Sequence, residues 1–257
     1  MQRFTNRRSI VTGAGSGIGR ATVLRFLAEG GRVTAFDVVE SGLDQLHIEA
    51  ARAGFDESLT TCTLDISEEE AVRREVPRAV EAMGGLEVLV NAAGVQRCAH
   101  THEHTLEDWN WTLAINLTGT FLMAREALPA LCASGVGVVV NFSSTSAQFA
   151  HPYMAAYAAS KGGIQAFTHG LALEYASQGL RAVNIQPGGI STGMANRTLD
   201  LMPDGYDLAL WAKQRPLLNG GGLADPAAVA AVVAMVASTD GSAVTGTEIR
   251  VDGGAHA

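Results

Sequence analysis

Tyr157 and Lys161 lie four residues apart in a stretch with helical periodicity, so their side chains share one helix face. A free phenol titrates near about 10, too high for a good base at neutral pH. A neighbouring cation favours the phenolate and lowers that value by roughly 1–3 units. The pair can therefore take a proton from an alcohol, or return one to a ketone oxygen. A second stretch able to do chemistry is Thr12-Gly13-Ala14-Gly15-Ser16-Gly17-Ile18-Gly19, set between the apolar run Ser9–Thr12 and the helical pattern Ile18–Glu29. Glycines there let the backbone turn tightly and approach a pyrophosphate, which the helix N-terminus attracts. Asp37 ends the next strand pattern, 18 residues beyond Gly19, where a carboxylate can accept both adenosine ribose hydroxyls. It would also face the extra phosphate of NADP. Two unit charges about 4 Å apart repel by roughly 4 kcal/mol at an effective dielectric of about 20. Neither Ser16 nor Val38 is basic, and Arg20 and Arg32 are the only nearby cations, so the expected cofactor is NAD.

These groups need a scaffold, and the chain has a regular one. Strand patterns fall at Ser9–Thr12, Arg32–Asp37, Leu59–Leu64, Leu86–Asn91, Val136–Phe142, Leu180–Gln186 and Glu248–Val251. Helical patterns fall between them at Ile18–Glu29, Ser41–Ala53, Ser67–Met83, Leu106–Leu131, Met154–Gln178 and Pro226–Ala237. Apolar Val/Ile/Leu strands joined by helices predict a mostly parallel sheet with helices on both faces. The expected class is a doubly wound, Rossmann-like α/β fold in a single domain over 1–257. Residues 193–216 break the rhythm after a strand end, where a substrate lid would sit.

Apolar residues make up 47% of the 257 and charged residues 17%, and the net charge is −8. An acidic chain without a basic cluster is a poor partner for nucleic acid or anionic membrane. No segment reaches the about 18 apolar residues needed to span a bilayer. Arg7-Arg8 is followed by a stretch broken by Gly13, Gly15 and Gly17, so no export signal core is expected. Cys62, Cys98 and Cys132 have neither disulfide nor metal spacing, and predict buried, reduced thiols in a cytoplasmic protein. His100, His102 and His104 alternate in a polar stretch, read as a solvated loop; no metal is expected.

With these residues in place, the chain resembles the short-chain dehydrogenase/reductase family over nearly its full length. The Thr12–Gly19 turn is similar to its Gly-x-x-x-Gly-x-Gly variant, and Tyr157-Ala-Ala-Ser-Lys161 to its Tyr-x-x-x-Lys signature. Ser144, thirteen residues before Tyr157, resembles the catalytic Ser, and Asn116 the active-site Asn. Asp65-Ile66 is similar to the adenine-contacting segment, and Asn91-Ala92-Ala93-Gly94 to Asn-Asn-Ala-Gly. Pro187-Gly188-Gly189-Ile190-Ser191-Thr192 resembles the nicotinamide-binding loop. Two departures stand out: Ala92 replaces an Asn, and Val183 occupies another position where the family carries Asn.

The resemblance implies that Asn116, Ser144, Tyr157 and Lys161 are catalytic. Ser144 would donate to the substrate oxygen as charge develops. Lys161 would also hold the nicotinamide ribose, and Asn116 a water linking Lys161 to solvent. Cofactor contacts are expected from Gly13, Ser16, Gly17, Ile18, Gly19, Asp37, Asp65, Ile66, Asn91, Ala92, Gly94, Tyr157, Lys161, Pro187, Gly188, Ile190 and Thr192. A homotetramer is implied, through the helices near Leu106–Leu131 and Met154–Gln178, with Val244–Val251 adding a second contact. Gln96, Gln148, His151, Tyr153, Met194 and Trp211 are the expected substrate contacts. Their mostly apolar surroundings suit a ring or medium-chain secondary alcohol or ketone. Two alternatives stand beside this reading: an NADPH-dependent reductase of 3-oxoacyl thioesters, and a non-catalytic NAD-binding sensor.

Overall fold

The computed structural model describes residues 2–257. Seven strands form one sheet: β1 (Arg8–Thr12), β2 (Arg32–Asp37), β3 (Leu59–Thr63), β4 (Val88–Asn91), β5 (Val138–Phe142), β6 (Arg181–Pro187) and β7 (Thr247–Val251). Their order is β3-β2-β1-β4-β5-β6-β7, the doubly wound order extended by one strand. The sequence predicts a mostly parallel sheet; all six pairings among the described residues are parallel.

The central strands are apolar on both sides because both faces are covered. On one face, α1 (Gly17–Ala28), α2 (Glu40–Arg52) and α9 (Pro226–Ala237) bury Val23, Phe26, Leu43 and Val233 against Val11, Val90 and Val140. On the other, α3 (Glu69–Met83), α5 (Thr120–Ala133) and α6 (Ala155–Glu174) bury Val76, Met123, Leu131 and Leu171 against Ile10, Leu89 and Val139. Each such side chain contributes about 1.5–3 kcal/mol.

Two local differences from the sequence expectation have physical causes. The predicted helix Leu106–Leu131 is helical throughout but not α-helical throughout: α4 (Leu106–Leu113) runs into a π-helical segment, Ala114–Gly119, before α5 begins. The wider turn carries Asn116, and such bulges often sit at functional sites. The other difference is a buried polar row. Asn91, Asn141 and Asn184 are in register across β4, β5 and β6. Asn91 Nδ2 donates to Asn141 Oδ1 at 2.9 Å, Asn141 Nδ2 to Thr168 Oγ1 at 2.8 Å, and Thr168 Oγ1 to Asn184 Oδ1 at 3.0 Å. Val183 meanwhile belongs to the apolar cluster of the opposite face. A one-residue offset along a strand exchanges faces, which explains how Val183 and Asn184 both fit.

Arg7 and Arg8 are structural: Arg7 Nη1 donates to the Ala237 carbonyl at 3.2 Å, and Arg8 opens β1 with an ion pair to Glu87. The three cysteines are half-buried, not fully buried as expected. None of the described helices is long and apolar enough to cross a membrane.

Candidate active site

The candidate groups gather beyond the C-terminal ends of the strands, the ligand edge of an open parallel sheet. The turn after β1 is built by absence of side chains. A Cβ on Gly13, at φ +64°, would come within 2.7 Å of Ala93, and one on Gly19 within 2.1 Å of the Gly13 carbonyl oxygen. Only hydrogens fit, so Ala92-Ala93 after β4, the turn, and the start of α1 can pack as one unit. Ala93 N also donates to Thr12 Oγ1 at 3.2 Å. Ser16 precedes α1 in extended conformation, without a side-chain cap and with no acidic residue in the first turn. The free N–H groups there suit a phosphate.

Asp37 closes the turn from β2. Its carboxylate accepts from Gly15 N at 2.8 Å and Val39 N at 2.9 Å. A carboxylate has about four lone-pair sites, so acceptor capacity remains for ribose hydroxyls. Arg20 is engaged elsewhere through both Nη groups: it donates to the carbonyls of Gly15 and Gly42 and pairs with Glu49 at 3.1 Å. Asp65 folds back locally, accepting from Ser67 N at 2.9 Å and Ser67 Oγ at 2.6 Å. Ile66 is buried beneath the π segment, where a Cβ on Gly119 would lie 2.7 Å away. After β6, Gly188 packs on Asp252, Ile190 bridges to Ala224, and Thr192 comes back to the first turn, 2.9 Å from where a Gly17 Cβ would be. The nicotinamide-loop candidates and the phosphate-turn candidates therefore meet. Together these features fit a nicotinamide dinucleotide.

The candidate proton-transfer group lies alongside. Lys161 is buried and its Nζ donates to the Phe142 carbonyl at 2.8 Å. Asn116 is buried too: its Oδ1 accepts from Val95 N at 2.8 Å, and its Nδ2 donates to Val95 O and Ser160 Oγ, each at 3.0 Å. A Cβ on Gly94 would sit 3.3 Å from Asn116 Oδ1 and 3.5 Å from Lys161 Nζ, so Gly94 is where these two groups converge. Lys161 Nζ is 5.6 Å from the centre of the Tyr157 ring.

One expectation is corrected here. Burial pushes the Tyr157 phenol up from its ordinary value, and a hydrogen bond with Ser144 only partly offsets it. Burial also pulls Lys161 down to about 8. The low dielectric disfavours both charged forms, so the net shift of the phenol is upward and not downward as the spacing predicts.

Of the expected substrate contacts, His151 is brought to the serine loop, with Nε2 3.3 Å from Thr145 Oγ1. Burial, with His256 close by, lowers its pKa to about 4. Gln96 is buried and donates to Cys98 Sγ at 3.3 Å. Tyr153 has φ +67°, strained for a non-glycine residue. Its hydroxyl accepts from Asp207 N at 2.9 Å, which ties it to the 193–216 segment. Met194 and Trp211 are half-buried within that segment, and Gln148 is exposed. The segment is more regular than predicted: α7 (Gly193–Asn196), α8 (Leu208–Trp211) and two short 3-10 turns occupy it. Four-residue helices are too short to show periodicity. The His stretch is only partly solvated. His100 Nε2 lies 3.2 Å from Asp204 O and its ring meets Tyr153 edge-on, while both ring nitrogens of His104 are buried. No group of metal-ligating side chains occurs among the described residues. Sequence reading missed Val95 and Ser160 as partners of Asn116, and missed His256 altogether; nothing local to those residues signals their contacts.

A family model, short chain dehydrogenase, matches residues 7–201. The chain belongs to that family. The 2,5-dichloro-2,5-cyclohexadiene-1,4-diol dehydrogenase of Sphingobium indicum is 32% identical over 252 residues, 98% of this chain and 97% of that protein. Among solved structures, levodione reductase superposes with a TM-score of 0.91 at 31% identity, covering 98% of both chains. A dehydrogenase/reductase from Sinorhizobium meliloti superposes with a TM-score of 0.86 at 29% identity, covering 99% of this chain and 96% of that one. Membership makes the protein an oxidoreductase that acts on a CH–OH group and uses a nicotinamide cofactor.

Proposed function

We propose that this short-chain dehydrogenase transfers a hydride between NAD(H) and a secondary alcohol or ketone of mainly apolar or ring character, with Tyr157 as the acid/base. The observation carrying the reading is the convergence of buried Lys161 and Asn116 at Gly94, beside the Ser144–Tyr157 pair. The nicotinamide ring, when bound, accepts or gives the hydride. Tyr157 takes the alcohol proton during oxidation and returns it during reduction. Ser144 donates to the substrate oxygen as negative charge gathers there. Lys161, on the same helix face as Tyr157, holds the nicotinamide ribose and stabilises the phenolate once oxidation begins. Asn116, fixed by Val95 and Ser160, orients the path by which Lys161 exchanges protons with solvent.

Asp37 supports NAD over NADP. Its carboxylate accepts from Gly15 and Val39, and Arg20 is committed to Gly15, Gly42 and Glu49. A 2′-phosphate would meet the carboxylate without a free cation from Arg20. The same arrangement weighs against an NADPH-dependent thioester reductase. A ring substrate is supported by the half-buried apolar lid residues and by the ring diol in the name of the Sphingobium relative. Residues 193–216 act as the lid.

The tetramer reading rests on α5 and α6. Phe121 is 42% exposed yet packs edge-on to Phe167 at 6.0 Å, and Leu173 is 84% exposed. Light scattering at micromolar concentration should give four chains; a monomer mass overturns it. The cysteine spacing supports a cytoplasmic setting. The function is tested by screening secondary alcohols and ketones, ring diols included, with NAD(H) and NADP(H) at the NADH absorbance. Turnover with ring substrates and NAD is expected, and no turnover across the panel with either cofactor removes the reading.

A further inference from the structure

We propose that His256 is a positioning residue: its ring clamps the loop that follows Ser144, and the tail carrying it ties that loop to the exit of the lid and to the cofactor loop. The proposal rests on the assignment of Ser144 and of the lid made above. His256 and Phe149 stack with ring centres 4.2 Å apart and planes 1° from parallel. His151 approaches the same imidazole at 5.5 Å and reaches Thr145 Oγ1 at 3.3 Å. Phe149 N donates to Thr145 O at 2.9 Å, so the clamped ring and the residue after Ser144 belong to one turn. The Arg250 guanidinium adds a second contact, 5.2 Å from the Phe149 ring centre.

The other end of the tail is anchored twice. Gly253 O accepts from both Leu217 N and Leu218 N at 2.9 Å, directly after the lid. A Cβ on Gly253, at φ +63°, would press on Pro216 at 3.1 Å. Gly188 N donates to Val251 O at 3.0 Å, and a Gly188 Cβ would come within 2.6 Å of Asp252. Asp252 is buried, and its Oδ1 accepts from Gly254 N at 3.0 Å to fix the turn. Five residues therefore contact the serine loop, the lid exit and the cofactor loop. Movement of the lid is passed to the serine loop through this tail, and His256 is its only stacked ring contact with that loop among the described residues.

The test compares native protein, His256→Ala and His256→Phe. Phe keeps a flat ring for the stack, and Ala removes it. In His256→Ala, amides of residues 145–150 should exchange at least ten-fold faster without ligand. KM for the alcohol or ketone should rise at least five-fold, while the NADH dissociation constant stays within two-fold. His256→Phe should restore both the exchange protection and KM. Unchanged exchange at 145–150 in His256→Ala overturns the clamp, as does a Phe variant that behaves like Ala. Loss of NADH affinity in step with the KM change also overturns it, because that is a general loosening. Should the native enzyme turn over nothing in the panel, the functional reading fails, and the exchange comparison still decides the clamp.

Discussion

The two sides of the candidate site are built from different materials. On the cofactor side, the geometry is made by backbone: missing Cβ atoms at Gly13 and Gly19, open N–H groups at the start of α1, and one carboxylate, Asp37, held by two N–H groups. On the proposed substrate side it is made by side chains from distant places: Asn116 in a π segment, Tyr153 reaching the backbone of the proposed lid, His151 and His256 around the serine loop. Backbone geometry tolerates almost no substitution. Side-chain geometry can be altered a group at a time, which lets one family accept many substrates on one scaffold.

The sharpest break of that contrast is Gly19→Val. Its Cβ would overlap the Gly13 carbonyl oxygen at 2.1 Å, and neither backbone segment can move without dislodging Ala93. Overpacking of this kind costs about 1–3 kcal/mol or more. Calorimetric titration should find no NADH binding, and the melting temperature should fall by several degrees. Native affinity in this variant would mean the turn is not rigid.

Next in size is Tyr157→Phe, which keeps the ring and removes the ionisable oxygen. Turnover should fall by at least about 10², the lower range for loss of a general acid/base, and NADH affinity should stay near native. Alcohol oxidation by the native enzyme should rise with pH, and the variant should lose that dependence. Because burial brings Lys161 to about 8, the variant's NADH affinity should still change near that pH. Near-native turnover in Tyr157→Phe on any native substrate removes Tyr157 from the mechanism.

These contrasts also explain what the sequence made legible. The strand and helix patterns locate all seven strands: the inner ones carry the apolar runs that a sheet covered on both faces demands, and the mixed edge strands β3 and β7 follow the same alternation with helices. The turn at Gly13–Gly19 and the spacing from Tyr157 to Lys161 are local, so sequence distance is close to spatial distance. His256 and Phe149 are far apart in the chain, and only the return of the tail along β7 joins them. The sign of the Tyr157 shift is equally hidden, since spacing reports that a cation is near but not how far the fold withdraws each group from solvent. The π segment at Asn116 is invisible because one wider turn hardly disturbs a helical pattern.

A smaller effect sharpens the cofactor side. Asp37→Ala removes the charge that would repel a 2′-phosphate. In titrations of native protein, NADH should bind at least ten-fold tighter than NADPH, and the variant should narrow that gap. Equal affinities in the native protein would sink the NAD assignment and reopen the NADPH-dependent reading. The hydrogen bond from Gly15 to Asp37 is lost too, so NADH itself should weaken modestly.

The smallest effect separates the two sides by pH. His151, on the substrate side, has its pKa lowered from 6.5 to about 4, burial being the larger cause. The folded protein thus prefers the neutral imidazole, and stability from this group is complete above about 6.5. It declines as pH falls from 6.5 to about 4, by at most about 1.4 kcal/mol per pH unit. His256 is also pulled down, chiefly by burial, so its contribution too declines as pH falls below 6.5. Glu29, at the C-terminal end of the helix whose N-terminus forms the cofactor turn, is lowered from 4.5 to about 2, chiefly by its hydrogen bond to Arg3. Its contribution is intact above 4.5 and is lost as pH falls from 4.5 through about 2. Mild acid should therefore loosen the substrate side first. Thermal melts between pH 7.5 and 4.5 should show native stability falling, and His151→Gln should flatten part of that slope. Hydrogen exchange over the same range should quicken at residues 145–151 before it quickens in β1 and α1. A native and a His151→Gln protein with the same slope would mean that the imidazole is not protected from protonation by the fold. Earlier loosening of β1 and α1 would reverse the order of the two sides.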